Sequence, residues 1–152
     1  MKNGIILAVA VAVIAIAGGI GYNAVRASGG SPPSVKAEIR LQSTSDDPLA
    51  SGKAKSEQRT GRTRFSIEVE DVSTDGAHSI RITRSATPIA NSPVSVMVDT
   101  LGFGELEMNT QDSPSGTLIP EAIAGDLVEV LRPVDGVVIL SGTLCLKGTT
   151  CP

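Results

Sequence analysis

Aromatic side chains are nearly missing from this sequence. It has two Phe, one Tyr and no Trp. Tyr22 falls in the apolar N-terminal stretch, so Phe65 and Phe103 are the only rings left for a folded domain. Two rings make no stacking platform for single-stranded nucleic acid. They make no aromatic platform for sugars either. Histidine is as scarce. His78 stands alone, which excludes a His-rich or cupredoxin-type metal site. It would also be the sole base for a Ser–His–Asp triad, and no Gly-x-Ser-x-Gly elbow is present to hold the nucleophile. No Gly-rich phosphate loop opens a helix. Excess positive charge is lacking too: the net charge is -3. Without the leader it is more acidic still, which excludes nucleic acid as a partner on electrostatic grounds. With no catalytic constellation, the expectation is a protein that is not an enzyme and needs no cofactor.

The one long hydrophobic run lies at residues 1–27, MKNGIILAVAVAVIAIAGGIGYNAVRA. Lys2 precedes an uncharged run over residues 4–22. A basic start, an apolar core and small residues at Val25 and Ala27 form a secretory signal with a cut before Ser28. Arg26 between them departs from the ideal cut. The same run, at the short edge of a membrane span, also reads as a retained anchor helix. Gly18, Gly19 and Gly21 weaken that helix. The leader has no cysteine, which excludes a lipoprotein anchor. Lys2 favours an N-terminus inside and a domain outside. Both readings export the remainder, secreted or anchored in the cytoplasmic membrane. A third reading is a pilin-like leader cut before Ile5. Pilins carry a glutamate early in the assembly helix, and Val9 takes that place here.

Residues 28–34, SGGSPPS, read as a linker. A body at 35–144 and a cysteine-bearing tail at 145–152 follow. The body alternates at once: Val35, Ala37, Ile39 and Leu41 share one side, and Lys36, Glu38, Arg40 and Gln42 share the other. That is the period of a half-buried strand. A two-residue turn at Thr60-Gly61 pairs Glu57 with Arg64, Lys53 with Glu68, and Ala54 with Ile67. Charges of opposite sign then meet on the wet face while small residues oppose large ones on the dry face. Asp75-Gly76 reads as a second hairpin turn. Further strands are expected at 93–99, 104–109, 118–123, 126–131 and 137–144. Val137–Leu140 is apolar on both sides and reads as a central strand. Eight or nine short strands at this spacing predict an antiparallel β-sandwich of Ig-like or jelly-roll-like order, preceded by one N-terminal hydrophobic helix.

Four features are candidates for chemistry or contact. Asp71, Asp75 and Gly76 match part of a calcium loop, but Ser73 and Ile82 occupy ligand positions that need oxygen-rich carboxylates. The plain turn is the simpler reading. Cys145 and Cys151 are the only cysteines. Export makes a disulfide between them the default, with pairing between chains as the alternative. His78 has the strand parity of Ile80 and Ile82 and points inward. Lys53, Lys55, Arg59, Arg62 and Arg64 stand against Glu57 alone, whereas residues 99–135 carry eight acids and one arginine. The simpler reading is a set of solvated outer faces; if these groups lie on opposite sides, the domain is an electrical dipole, suited to head-to-tail association or to an acidic partner such as a cell-surface polymer.

The segments ASGKAKSEQRTGRTRFSIEVED at 50–71, GFGELEMNT at 102–110, LIPEAIAGDLVEV at 118–130 and GVVILSGTL at 136–144 resemble, in this order, a poorly characterised β-domain of exported bacterial and archaeal proteins. They are also similar to the chordin-type extracellular β-domain. The resemblance spans residues 50–144 and rests on turn glycines and strand alternation. The chordin-type pattern often carries two histidines after the second hairpin. Only His78 is here, so no ligand role of that pair carries over. The resemblance implies an extracellular module without activity. The expectation is therefore an exported module that binds a protein or a cell-surface polymer, or builds surface structure. The alternatives are a pilin-like or strand-exchange filament subunit and an exported enzyme.

Overall fold

The computed structural model describes residues 34–90, 92–112 and 117–150. The chain divides into two units, Met1–Gly30 and Ser31–Pro152, and every described residue belongs to the second. The expected leader helix, its cleavage site and the membrane segment at 4–22 lie outside the described residues. Among those described there is no helix at all, and so none long and apolar enough to cross a membrane.

Ten strands form: β1 Val35–Ser43, β2 Ser51–Arg59, β3 Arg62–Glu70, β4 Gly76–Arg84, β5 Thr87–Pro88, β6 Val94–Val98, β7 Gly104–Asn109, β8 Leu127–Leu131, β9 Val138–Thr143 and β10 Cys145–Leu146. The sandwich is overturned. One antiparallel sheet runs β1-β2-β3-β7-β6-β4-β8-β9, and β9 pairs back onto β1 through Gln42↔Ser141 and Ser43↔Leu140. The result is a closed barrel of eight strands. β5 pairs with β4, and β10 pairs with β1. A small barrel of this kind is filled by its own side chains. Here Phe65, Ile67, Val69, Ile80, Ile82, Val96, Val128, Val130 and Leu140 fill it.

Glycines let the walls approach and coil. A Cβ at Gly142 would lie 2.9 Å from Cγ1 of Ile39, and one at Gly52 would lie 2.9 Å from the Glu68 carbonyl oxygen. Both glycines point into the barrel, where a sandwich would have offered room between flatter sheets.

The β2–β3 hairpin turns at Thr60-Gly61, with Gly61 at φ 73, and its register pairs Glu57 with Arg64, Lys53 with Glu68 and Ser56 with Phe65. Asp75-Gly76 is not a hairpin turn. β3 neighbours β2 and β7, whereas β4 neighbours β6 and β8, so residues 71–75 carry the chain across one barrel end over the β6–β7 hairpin. Residues 118–123 form no strand either. They cross the opposite end, where Ile119, Pro120 and Ala122 are buried, and the Ala122 carbonyl accepts from Ser56 Oγ and Gln58 Nε2. On β9 the adjacent residues Ile139 and Leu140 are both buried. A register shift opposite Val130/Leu131 produces this: the bulge turns two consecutive side chains inward.

Candidate functional site

Strand directions gather four connections at one end of the barrel: residues 44–50, 71–75, 99–103 and 132–137. They brace one another. Asp47 is buried, and its Oδ2 accepts from Ser73 N at 2.9 Å and Ser73 Oγ at 3.0 Å. Val72 N donates to the Gly102 carbonyl at 3.1 Å. A Cβ at Gly102, which has φ +81, would lie 2.6 Å from the Val72 carbonyl oxygen, so only glycine permits this approach.

The 99–103 connection is held by its own first residue. Asp99 Oδ1 accepts from Leu101 N at 2.9 Å and Phe103 N at 3.0 Å, and Gly102 N donates to the Asp99 carbonyl at 3.0 Å. This frame presents Leu101 at 85% exposure and Phe103 at 42%. Leu49 and Val134, on neighbouring connections, are each 79% exposed. Leu49 and Leu101 flank an open cleft of ≈ 560 Å³ whose lining includes Val72, Asp71 and Ser73. Ordering costs at such a surface are partly met before any partner arrives. The sequence did carry a signal for it: Leu101 and Phe103 flank the turn glycine Gly102, apolar residues where a turn is usually polar.

Asp46, Asp71, Asp75 and Asp135 lie on the same connections, and Asp71 lines the cleft. The cation among them is Arg132, paired with Asp135 at 2.7 Å. The Arg132 hydrogen bond and the Val137 N–H hold the Asp135 carboxyl below the usual carboxylate range. The Asp135 hydrogen bond, and then the charges of Asp135, Asp46 and Asp47, raise Arg132 further above its ordinary value.

The proposed basic face is not a basic stripe. Lys53, Lys55, Arg59, Arg62 and Arg64 do share the outer face of β2 and β3. Their register neighbours are mixed: Arg59 faces Arg62 and Lys55 faces Ser66, but Lys53 faces Glu68, Arg64 faces Glu57, Glu68 faces Glu105 and Ser66 faces Glu107. Arg64 pairs with Glu107 and Lys36 with Glu57. The β3–β7 pairing brings Glu105 and Glu107 of the acidic run beside the basic residues of β2 and β3. Lys36, Lys53, Lys55, Glu57 and Arg64 line a shallow cleft of ≈ 300 Å³ of mixed sign.

His78 points into the barrel and is fully buried. Its Nδ1 lies 3.2 Å from the Gly76 carbonyl, and its Nε2 meets no partner. Ile82, the last position of the calcium-type loop, is core. Among the described residues, no three His, Cys, Asp or Glu side chains gather to hold a metal. Cys145 is buried on β10, and no described cysteine is free. Its expected partner Cys151 lies outside the described residues.

One site was not legible in the sequence. Arg84 on β4 grips Asp126 with both nitrogens, Nε to Oδ1 at 2.8 Å and Nη2 to Oδ2 at 2.9 Å, and Ile123 N donates to Oδ2 at 2.8 Å. Asp126 is almost fully buried. This clamp closes the end crossed by residues 118–123, and its partners are 42 residues apart. No family model and no curated protein matches this chain.

Proposed function

We propose that this protein is an exported β-barrel module, secreted or held at the membrane by its N-terminal segment, that acts by contacting other macromolecules. The observation that carries the contact role is the loop end. Three connections lift apolar side chains into solvent from a hydrogen-bonded frame that also bears carboxylates. Exposed apolar groups inside a polar rim are the anatomy of a protein–protein contact. Support for export comes from the leader pattern and the SGGSPPS linker. The resemblance to extracellular β-domains points the same way. A disulfide between Cys145 and Cys151 fits that compartment and would tie the chain end to β10.

Fractionation together with the intact mass of the recovered protein tests this. A start at Ser28 means secretion, a start at Met1 an anchor, and a start at Ile5 pilin-type processing. Recovery in the cytosol would end the export reading. The same mass, before and after reduction, reports whether the two cysteines are oxidised.

A further inference from the structure

Most exposed large hydrophobic side chains sit at the two ends of the barrel, with Met97 on the outer wall of β6 and Leu118 on the connection that crosses the Val35 end. Leu49, Leu101, Phe103 and Val134 stand at the loop end. Val35 and Leu146 stand at the other, where β1 begins and β10 pairs with it. Val35 and Leu146 share an open cleft of ≈ 450 Å³ with Lys36 and Lys147. Arg59 and Arg62 close the adjoining β2–β3 hairpin at this same end.

Charge differs between the two ends. At the loop end Asp46, Asp71 and Asp75 have no ion pair among the described residues. At the other end the carboxylates nearest Lys36 and Lys147 are loose partners: Glu57 lies 3.7 Å from Lys36 and Glu38 lies 3.9 Å from Lys147. One end is apolar with an acidic rim; at the other, the Val35–Leu146 cleft is flanked by Lys36, Lys147, Arg59 and Arg62, while the exposed Asp112 and Glu121 lie on that end's long connection.

We propose that copies of this chain associate head to tail, the Leu49–Leu101 end of one seating on the Val35–Leu146 cleft of the next. Two loop ends brought together would set carboxylates against carboxylates, so the contact is heterologous. A heterologous contact that does not close on itself builds an open row of subunits. Apolar anchors at its centre keep water from the flanking charges, and the charges set direction and salt sensitivity. This inference rests on the domain being a contact module and does not depend on export.

The test uses the chain as purified from an expression host, with mass followed by sedimentation velocity against concentration, at low and at high salt. Wild-type mass rises with concentration, and more so at low salt. Leu101→Asp blocks one end and Leu146→Asp the other, and each weakens association at least about tenfold. Both positions are exposed, and matching circular dichroism confirms that the variants fold. Mixed in equal amounts, the two blocked variants form dimers and stop there, because each retains one open end. A wild-type chain that stays monomeric overturns the proposal. So does Leu146→Asp dimerising alone, which would make the contact loop end to loop end. Oligomers that survive both substitutions assign association to the leader and overturn it as well. A monomer recovered outside the cytoplasm would leave the export reading standing; association by a cytosolic chain would do the reverse.

Discussion

His78 is the residue where polarity and burial conflict. Its Nδ1 lies 3.2 Å from the Gly76 carbonyl oxygen, and its Nε2 has no hydrogen-bond partner inside an aliphatic barrel. A buried polar atom without a partner costs about 1–3 kcal/mol. The His78→Leu variant, which removes that orphan nitrogen, is therefore expected to hold stability or raise it by on the order of 1 kcal/mol, with no fall in the urea midpoint. A clear fall in the midpoint would mean that the ring has a stabilising role the geometry does not show. Asp135 gives a pH dependence. Its carboxyl is held below the usual range by Arg132 and then by the Val137 N–H, so the folded value lies below the unfolded one. The stability it contributes is present at neutral pH and is lost as pH falls through the acid range. Unfolding midpoints of the Asp135→Asn variant should fall less between neutral and acid pH than those of the wild type. The effect is small because the pair is exposed.

At the scale of elements, the short-range hairpins obey their own residues. β2 and β3 were legible because a two-residue turn leaves one register that satisfies both faces. The β4–β5 turn is less well matched. Ser85 and Ala86 sit at φ 50 and φ 64, and a two-residue turn with both φ values positive prefers Asn-Gly. Ala86→Gly is expected to raise stability by up to about 1 kcal/mol, because the left-handed strain on Ala exceeds the added chain entropy; thermal unfolding measures it. The opposite outcome is expected where glycine makes space. Gly142→Ala drives a methyl against Ile39 and Leu41 and should cost about 1–3 kcal/mol in chemical denaturation. Residues 118–123 misled the strand reading because their alternation serves a different purpose. Ile119 and Ala122 drop into the barrel end while Leu118 and Glu121 face out, and the Arg84–Asp126 clamp holds them without a ladder.

At the scale of the whole molecule, closure rests on few bonds. β2 and β3 share nine paired residues, whereas β1 and β9 share two and β6 and β7 only Val98↔Gly104. Native-state hydrogen exchange should find the facing edges of β6 and β7, and the β1–β9 seam, opening before the β2–β3 ladder. Uniform protection across all eight strands would contradict this. Closure also fixes the polarity of the surface. Once the strands form a barrel, alternate connections must share an end, and Leu49, Leu101, Phe103 and Val134 come together although they span residues 49–134.

The amino-acid sequence by itself determined that the body is all β, which side of each early strand is dry and where the first hairpin turns. These follow from local pattern: a period of two names a face, and a turn dipeptide names a register. It did not determine neighbours. Alternation is the same in a sandwich and a barrel, so the choice between them fell to long-range contacts: inward glycines at 52, 104 and 142, a bulge on β9, and two residue pairs joining β9 to β1. The same contacts placed β7 beside β3 and mixed two charge runs that chain order had kept apart. The tertiary structure decided which charges and apolar groups become neighbours, because strand pairing depends on coiling and closure rather than on any one segment.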